Sequence, residues 1–245
     1  KITLNGVSAS NNNFSGMVLN NSYATGSIVF LSTLGPNTIW GNGDFGLVIN
    51  TGGSVTISGL DASFNGSSTS EHGAYINAVG GVTISGTASL PVEFGYNAGK
   101  GLEIVTRGTV TLNFVQAYNS GVTNVNVDNS SGSGNVVMNN VATGDSLNGS
   151  GISILTTGSV TLKNVSAEFN KSLGALVNNA STRKLGVSIT NGRFDNNQNI
   201  GLQIETSGAA SLKDVNANGN SAQDTSISFG SKRRDVLFNN TDIWR

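Results

Sequence analysis

The 245-residue sequence has no cysteine, two prolines, one histidine and few charged residues, which make up 11% of the chain. Without cysteine there is no disulfide framework, thiolate metal site or thiol nucleophile. The formal net charge is −1, so the composition gives no general electrostatic case for binding nucleic acid or a membrane surface. No apolar run approaches the roughly 18 residues of a membrane-spanning helix, and we expect no membrane span.

The sequence has instead 33 glycines, many Asn, Ser and Thr residues, and a repeated pattern. In the stretch 151–170, apolar residues alternate with polar ones in three short runs, which is typical of strands with one buried face. Gly151 opens this unit, Gly158 separates the first two strands, and Asn170 closes it. Three short strands separated by corners predict one coil of a parallel β-helix.

The last inward residue of the second strand marks each coil and is called its anchor here. The anchors are Leu4, Phe30, Ile57, Ile84, Leu112, Met138, Leu162, Ile189, Leu212 and Phe238. They lie 23 to 28 residues apart, which predicts an all-β, single-stranded parallel β-helix of about ten coils with three short strands each. A stacked repeat has no natural internal boundary, so residues 1–245 are expected to form one domain.

Three further positions recur at fixed distances from the anchor. A glycine stands 11 residues before it in five coils, where it would allow the positive φ of a tight corner. A small residue that leaves room where the coil narrows stands five after it, at Ala9, Ala62, Ser89, Ala117, Ala167 and Ala217. An asparagine stands eight after it, at Asn12, Asn65, Asn170, Asn197 and Asn220. These asparagines are expected to form a structural hydrogen-bonded ladder along the axis rather than a ligand site.

The run 196–204, NNQNIGLQI, resembles the N-x-x-x-G-[IL]-x-[IL] signature of right-handed parallel β-helix repeat proteins of the pectin-lyase-like group. The resemblance covers nearly the whole chain and is closest in style to bacterial secreted and surface proteins. It implies a right-handed helix and an extracellular or cell-surface location. Members of the group include polysaccharide lyases and hydrolases, phage tailspikes and surface proteins, so the resemblance is specific for fold and not for function.

An apolar stripe is the first candidate binding surface. By register, Val18, Val48 and Tyr75 point outward on adjacent coils, and Trp40 or Phe94 would border them. One interpretation is that the long corner of the second coil folds over this stripe. The other is that the stripe contacts sugar or protein, since exposed apolar patches mark interaction sites.

A basic corner is the second candidate. It consists of Arg183 and Lys184 on one coil and Lys232, Arg233 and Arg234 two coils further on. One interpretation is a solvated corner that discourages edge pairing of strands. The other is a contact for an anionic glycan, because arginine offers paired hydrogen bonds to carboxylate or sulfate.

Catalytic residues are not evident in the sequence. Polygalacturonase-like members of the group carry D-D, G-H-G and R-I-K motifs, and none of these three occurs here. His72 stands in a loop rich in Ser, Thr, Glu and Gly, and is expected to be a solvated turn residue. The best pairing for an enzyme is Glu103 with Arg107 beside Tyr75. We assign no catalytic residue, metal or cofactor on this basis.

Neither end of the sequence has an obvious capping helix, so we expect a section of a longer array or a rod that stacks end to end on itself. The expected function is structural or adhesive: an extracellular rod or fibre segment that presents corner loops for surface attachment or assembly. The alternative is a carbohydrate-binding or carbohydrate-active protein, similar to lyases or hydrolases, acting on an anionic surface or extracellular polysaccharide.

Reversing the charges of Lys232, Arg233 and Arg234 to glutamate tests the basic corner. If this corner binds an anionic glycan, the triple variant loses its retention on immobilised heparin or polygalacturonate, because attractive contacts become repulsive. Unchanged retention would argue against glycan binding at this corner.

Overall fold

In the computed structural model the described residues are 1–183, 185–229, 236–239 and 242–243, with side chains described only as far as residue 229. None of these residues lies in a helix. Every strand of the described chain pairs in parallel with the equivalent strand of the next coil, which makes a parallel β-helix with three sheets. No described segment is a helix long and apolar enough to cross a membrane.

The strands are as follows. The first sheet contains Met17–Asn21, Leu47–Thr51, Ala74–Ala78, Leu102–Thr106, Val125–Asn129, Ile152–Thr156, Ala175–Asn179, Ile200–Thr206 and Gln223–Phe229. The second contains Ile2–Asn5, Ile28–Leu31, Val55–Ser58, Val82–Ser85 and Val236–Asn239, and the third contains Ser8–Ser10, Asn37–Trp40, Leu60–Asp61, Val92–Gly95 and Asp242–Ile243. Five bent strands run through both the second and third sheets: Val110–Tyr118, Val136–Gly144, Val160–Glu168, Val187–Arg193 and Ala210–Ala217.

The ten anchors occupy equivalent positions in the second sheet. Each pairs in register with the anchor of the next coil, from Leu4 with Phe30 to Leu212 with Phe238. The predicted all-β parallel β-helix with three strands per coil is therefore confirmed, and its ten rungs enclose about nine full turns. Because side chains alternate along each strand, this register keeps the same column buried from coil to coil.

The third sheet supplies the narrow side of the core. Ala62, Ala117, Ala167 and Ala217 are completely buried there, as their small size predicts. Ser89 does not occupy this position, because a loop at 86–91 lengthens its coil and Phe94 pairs in register with Ala117 instead. Phe194 takes the same place on a later coil. Its ring fills the space beside Gly192, where a Cβ would lie 2.8 Å from it, so the interior stays close-packed.

The second and third corners turn on single residues in the left-handed region. At the second corner, between the second and third sheets, these are Phe114, Asn140, Asn164, Asn191 and Asp214, with φ of 50 to 54°. At the third corner, which leads to the next coil, they include Asn11, Phe64, Tyr96, Asn119, Asp145, Phe169 and Asn196, with φ of 53 to 59°. Asn and Asp tolerate this conformation, whereas an aromatic side chain adopts it at a backbone cost.

The first corner depends on a buried polar column that the sequence analysis missed. Where the corner is short, Thr51, Thr106, Thr156 and Thr206 accept a hydrogen bond from the backbone N–H of the glycine two residues later, at 2.9 to 3.2 Å. Where it is longer, asparagine takes the same position, and the Nδ2 of Asn21, Asn129 and Asn179 donates across the corner at 2.6 to 2.8 Å. The side chain thus compensates for the length of the corner.

Replacing Thr156 with valine tests this first corner. The variant keeps the shape but removes the acceptor for the Gly158 N–H, so we expect a loss of roughly 1 to 3 kcal/mol in the free energy of unfolding. Chemical denaturation measures it. Thr161→Val is the matched control, because Thr161 is exposed on the outer face of the second sheet and valine is equally suited to a strand. Equal effects of the two substitutions would contradict this role of the corner threonines.

Candidate functional site

The outward face of the third sheet carries a column of mostly polar side chains. In register along the rod, the column contains Asp61, Glu93, Gln116, Ala142, Ser166 and Arg193. Neighbouring coils are about 4.8 Å apart, so this column of six rungs extends for about 24 Å. It forms the floor of a groove, and residues of the second corner line one side of that groove.

The groove contains two cavities, one on each side of the loop at 86–91. The larger cavity, about 440 Å³, lies over Gln116, Ala142, Ser166 and Arg193. The smaller cavity, about 210 Å³, lies beside Asp61 and Glu93, and its other lining residues include Pro36, Leu60, Leu90 and Pro91. The larger volume is in the range of small-molecule binding sites.

Three carboxamides form the wall of the larger cavity on the side of the second corner. Nδ2 of Asn191 donates to Oδ1 of Asn164 at 2.8 Å, and Nδ2 of Asn164 donates to Oδ1 of Asn140 at 3.0 Å. Phe114 holds the equivalent position one coil earlier and adds an apolar surface together with Pro91. The wall therefore presents a row of amide groups with fixed direction, ending in an apolar segment.

An ion-paired arginine lies at the far end of the floor. Nε of Arg193 donates to Oδ2 of Asp195 at 2.7 Å and lies 3.4 Å from Oε2 of Glu168. The hydrogen bond that Arg193 donates to Asp195 and the charge of Glu168 raise the pKa of Arg193. Burial raises the pKa of Glu168, an effect that Arg193 opposes. Two carboxyl groups thus fix the direction of the guanidinium group.

Two carboxyl groups stand next to each other at the opposite end of the floor. Burial and the neighbouring charge of Asp61 raise the pKa of Glu93, and a hydrogen bond with the Tyr118 hydroxyl works in the opposite direction. Burial, followed by the charge of Glu93, raises the pKa of Tyr118. Within the described part of the chain, neither Asp61 nor Glu93 forms an ion pair, and the buried Oδ1 of Asp61 has no hydrogen-bond partner.

A ridge of four aromatic rings lies beside these carboxyl groups. Ring centroids are 5.1 Å apart for Trp40 and Phe64, 4.6 Å for Phe64 and Tyr96, and 5.4 Å for Tyr96 and Tyr118. The Phe64 and Tyr96 rings are stacked at 16°, whereas Tyr118 meets Tyr96 edge-on. Trp40, Phe64 and Tyr96 are 38 to 49% exposed. This aromatic ridge is not evident in the sequence, because two lengthened corners hide its common register.

The asparagine ladder lies at the third corner. Side-chain bonds of 2.8 to 3.2 Å link Asn12, Asn42, Asn65 and Asn97 in one segment, and 2.9 to 3.0 Å bonds link Asn170, Asn197 and Asn220 in another. The five predicted asparagines all lie in it. Asn42 and Asn97 were missed, because the lengthened second corners at 32–36 and 86–91 shift them from the expected spacing. Ser120 and Ser146 hold the equivalent position in the two coils between the segments.

The opening glycines are required by this ladder. A Cβ on Gly151 would lie 2.7 Å from Nδ2 of Asn170 and 2.8 Å from the Gly174 carbonyl oxygen. A Cβ on Gly201 would lie 2.4 Å from Nδ2 of Asn220. None of the five opening glycines has a positive φ. The prediction that glycine is needed here for the positive φ of a tight corner is therefore wrong. Close approach of backbone carbonyl groups and of the corner side chain, rather than corner geometry, selects glycine; at Gly101 that side chain is Ser120 instead of asparagine.

The two surfaces predicted from the sequence lie away from this groove. Val18, Val48 and Tyr75 are in register on the first sheet, and Val18 is 60% exposed, so the corner of the second coil does not cover it. Phe94 is buried in the core and does not border the stripe. Of the basic corner, Arg183 is exposed, with Nη1 donating to the Ser133 carbonyl at 3.0 Å. Lys184, Lys232, Arg233 and Arg234 lie outside the described residues. Binding at either surface stays a prediction.

His72 is not a solvated turn residue. It is 8% exposed, its Nε2 lies 2.8 Å from Oε2 of Glu103, and its Nδ1 accepts the Lys100 backbone N–H at 3.1 Å. Lys100 also pairs with Glu103 through its side chain. Glu103 is therefore engaged by His72 and Lys100 rather than by Arg107. The lengthened third corner before Gly73 brings His72 inward, which its sequence neighbours did not indicate.

No protein-family model matches this sequence, and searches of curated proteins and of solved structures find no similar protein. The chemistry of the groove must therefore be argued from its own residues. Across the described residues, no group of three or more His, Asp and Glu side chains is placed to hold a metal ion. The arrangement offers amides, hydroxyls, ring edges and, at Asp61 and Glu93, two carboxyl groups that form no ion pair with a described residue.

Replacing Glu103 with glutamine tests the His72 cluster. The His72 hydrogen bond and Lys100 lower the pKa of Glu103 from 4.5 to about 2, against the opposing effect of burial. Because the folded pKa is depressed, this stabilisation is present above pH 4.5 and is lost as the pH falls towards 2. Across this pH window, we expect the free energy of unfolding to fall by on the order of 3 kcal/mol more in the wild-type chain than in the variant. Urea denaturation measures this difference.

Glu205→Gln is the control for this measurement, because Glu205 also lies on the outward face of the first sheet and hydrogen-bonds with Asn178. A Glu103→Gln variant whose acid destabilisation equals that of the wild-type chain would contradict the stabilising role of the cluster.

Proposed function

We propose that this chain is a stiff extracellular rod with a structural and adhesive role, and that it holds an extended surface or extracellular polysaccharide in the groove of the third sheet. The larger cavity, with its carboxamide wall and polar floor, is the observation that carries this proposal. Carboxamides both donate and accept hydrogen bonds, which suits sugar hydroxyls. Phe114 and Pro91 add the apolar surface that the C–H groups of a sugar ring require.

Binding fits the larger cavity better than glycoside hydrolysis does. Hydrolysis of a glycosidic bond ordinarily uses two carboxyl groups that flank the bond. None of the residues that line the larger cavity is acidic. Its one cation, Arg193, is already held by Asp195 and is exposed to the groove, where it can act as a directed hydrogen-bond donor.

The length of the groove supports an adhesive role. The floor residues stand at the spacing of the coils, so a chain of sugars lying parallel to the rod would meet a further floor side chain at each coil. Binding through many weak contacts gives firm attachment, because each further contact is made within the same complex. Assembly by end-to-end stacking and the extracellular location belong to the same proposal, and they rest on the repeat pattern and its resemblance.

Calorimetric titration with a panel of soluble extracellular polysaccharides tests this proposal. We expect binding by the wild-type chain and at least ~10-fold weaker binding by the double variant Gln116→Ala, Asn164→Gly, which loses two hydrogen-bonding groups. Glycine at position 164 keeps the left-handed backbone. The matched control is Thr111→Ala, Thr161→Ala, which alters the same two coils on the second-sheet face.

Failure of every polysaccharide in the panel to bind would contradict the proposed function. Equal losses of binding affinity in the groove variant and in the second-sheet control would contradict the location of the site.

A further inference from the structure

We infer that the smaller cavity and the aromatic ridge beside it form a second subsite of the groove, which selects an uncharged glycan over a polyuronate or a sulfated glycan. This inference rests on the proposed function and specifies its ligand. It concerns Trp40, Phe64, Tyr96 and Tyr118 on the ridge, and Asp61 and Glu93 on the floor. It differs from the alternative function predicted from the sequence and its basic corner, in which the glycan is anionic.

The ridge is built at a backbone cost. Most residues that turn the third corner in the left-handed region are Asn, Asp or Gly, which adopt it readily. Phe64 and Tyr96 adopt φ of 59° and 55° and remain half exposed, so burial of their rings does not offset the cost in full. Strained residues on an open surface are typical of functional positions. Stacking between the two rings offsets part of this backbone cost, but a fully buried pair of rings would offset more of it.

The exposed parts of the ridge suit sugar rather than an apolar partner. Phe64 and Tyr96 cover each other's faces, so their ring edges point to solvent. Ring edges carry partial positive charge and attract hydroxyl oxygens. Trp40 is tilted by 49° from Phe64 and leaves part of a large ring surface open for the C–H groups of a sugar.

The two carboxyl groups set the charge preference. Like charges directly opposite each other on neighbouring strands are unfavourable, and no cation of the described chain relieves Asp61 and Glu93. Burial, followed by the charge of Asp61, raises the pKa of Glu93. Carboxylates accept hydrogen bonds strongly, and both carboxyl groups line the smaller cavity, where sugar hydroxyls can donate to them. A ligand with its own carboxylate or sulfate groups would be repelled at this place.

Fluorescence of Trp40 reports on this subsite directly. The chain has two tryptophans, so the variant Trp244→Phe leaves Trp40 as the single emitter. We expect an uncharged extracellular polysaccharide to change the Trp40 emission. We expect polygalacturonate at the same concentration and low salt to leave it unchanged, even if it binds elsewhere on the rod.

The outcomes separate this inference from the proposed function. Equal responses to both polymers would overturn the charge preference, whereas calorimetric binding without any change in Trp40 emission would overturn the second subsite. No binding to any polymer would overturn the proposed function itself. In Asp61→Asn, Glu93→Gln, we expect polygalacturonate to gain a Trp40 response, and its continued absence would contradict the role of the carboxylates.

A substitution that suits the backbone separates binding from packing. Phe64→Asn introduces asparagine, which occupies the same corner position on other coils at Asn11, Asn119 and Asn196. Because asparagine suits the left-handed backbone, we expect an equal or higher midpoint of thermal unfolding. We expect roughly tenfold weaker binding of the uncharged polymer. Phe169→Asn is the matched control, since Phe169 has φ of 59° at the same corner outside the ridge. A lower midpoint with unchanged affinity in Phe64→Asn would mean that the ridge only stabilises the fold.

Discussion

The in-register stacking of coils is the constraint on which the rest of the molecule depends. At the third corner, asparagine amides of neighbouring coils bond to each other in two segments, and each packs where only a glycine leaves room, as Asn170 does beside Gly151. Where the ladder is interrupted, the strand register still continues without a shift. A slip of one residue would exchange inward and outward faces in all three sheets, so this locking also holds the groove together.

The same constraint explains where function can be built. Inward columns must stay apolar and closely packed, and single residues at the corners must accept a left-handed backbone. Outward columns are free of both requirements, and on the third sheet they bring Asp61, Glu93, Gln116 and Arg193 into one line over six coils. Phe64 and Tyr96 adopt the left-handed backbone of the third corner although they are aromatic, and both lie beside this line. Local backbone strain therefore occurs next to the proposed binding surface.

The fold was largely predictable because its signal is a period. Ten anchors sufficed to place the coils, and each pairs as the spacing predicts. The groove was not predictable, because loops at 32–36 and 86–91 alter the distance from anchor to third strand. The strand that contains Glu93 was therefore not evident, Asn42 and Asn97 fell outside the ladder, and the aromatic rings had no visible common register. His72 was misjudged because a polar loop sequence does not reveal that its corner folds against Glu103.

A crystal structure of the chain with an uncharged oligosaccharide, long enough to cover several coils, would test the central claim most directly. We expect sugar units along the third sheet, with hydroxyls near Gln116, Asn164 and Asp61 and a ring against Trp40. Sugar bound on the first-sheet stripe or at the basic corner, with an empty third-sheet groove, would contradict it.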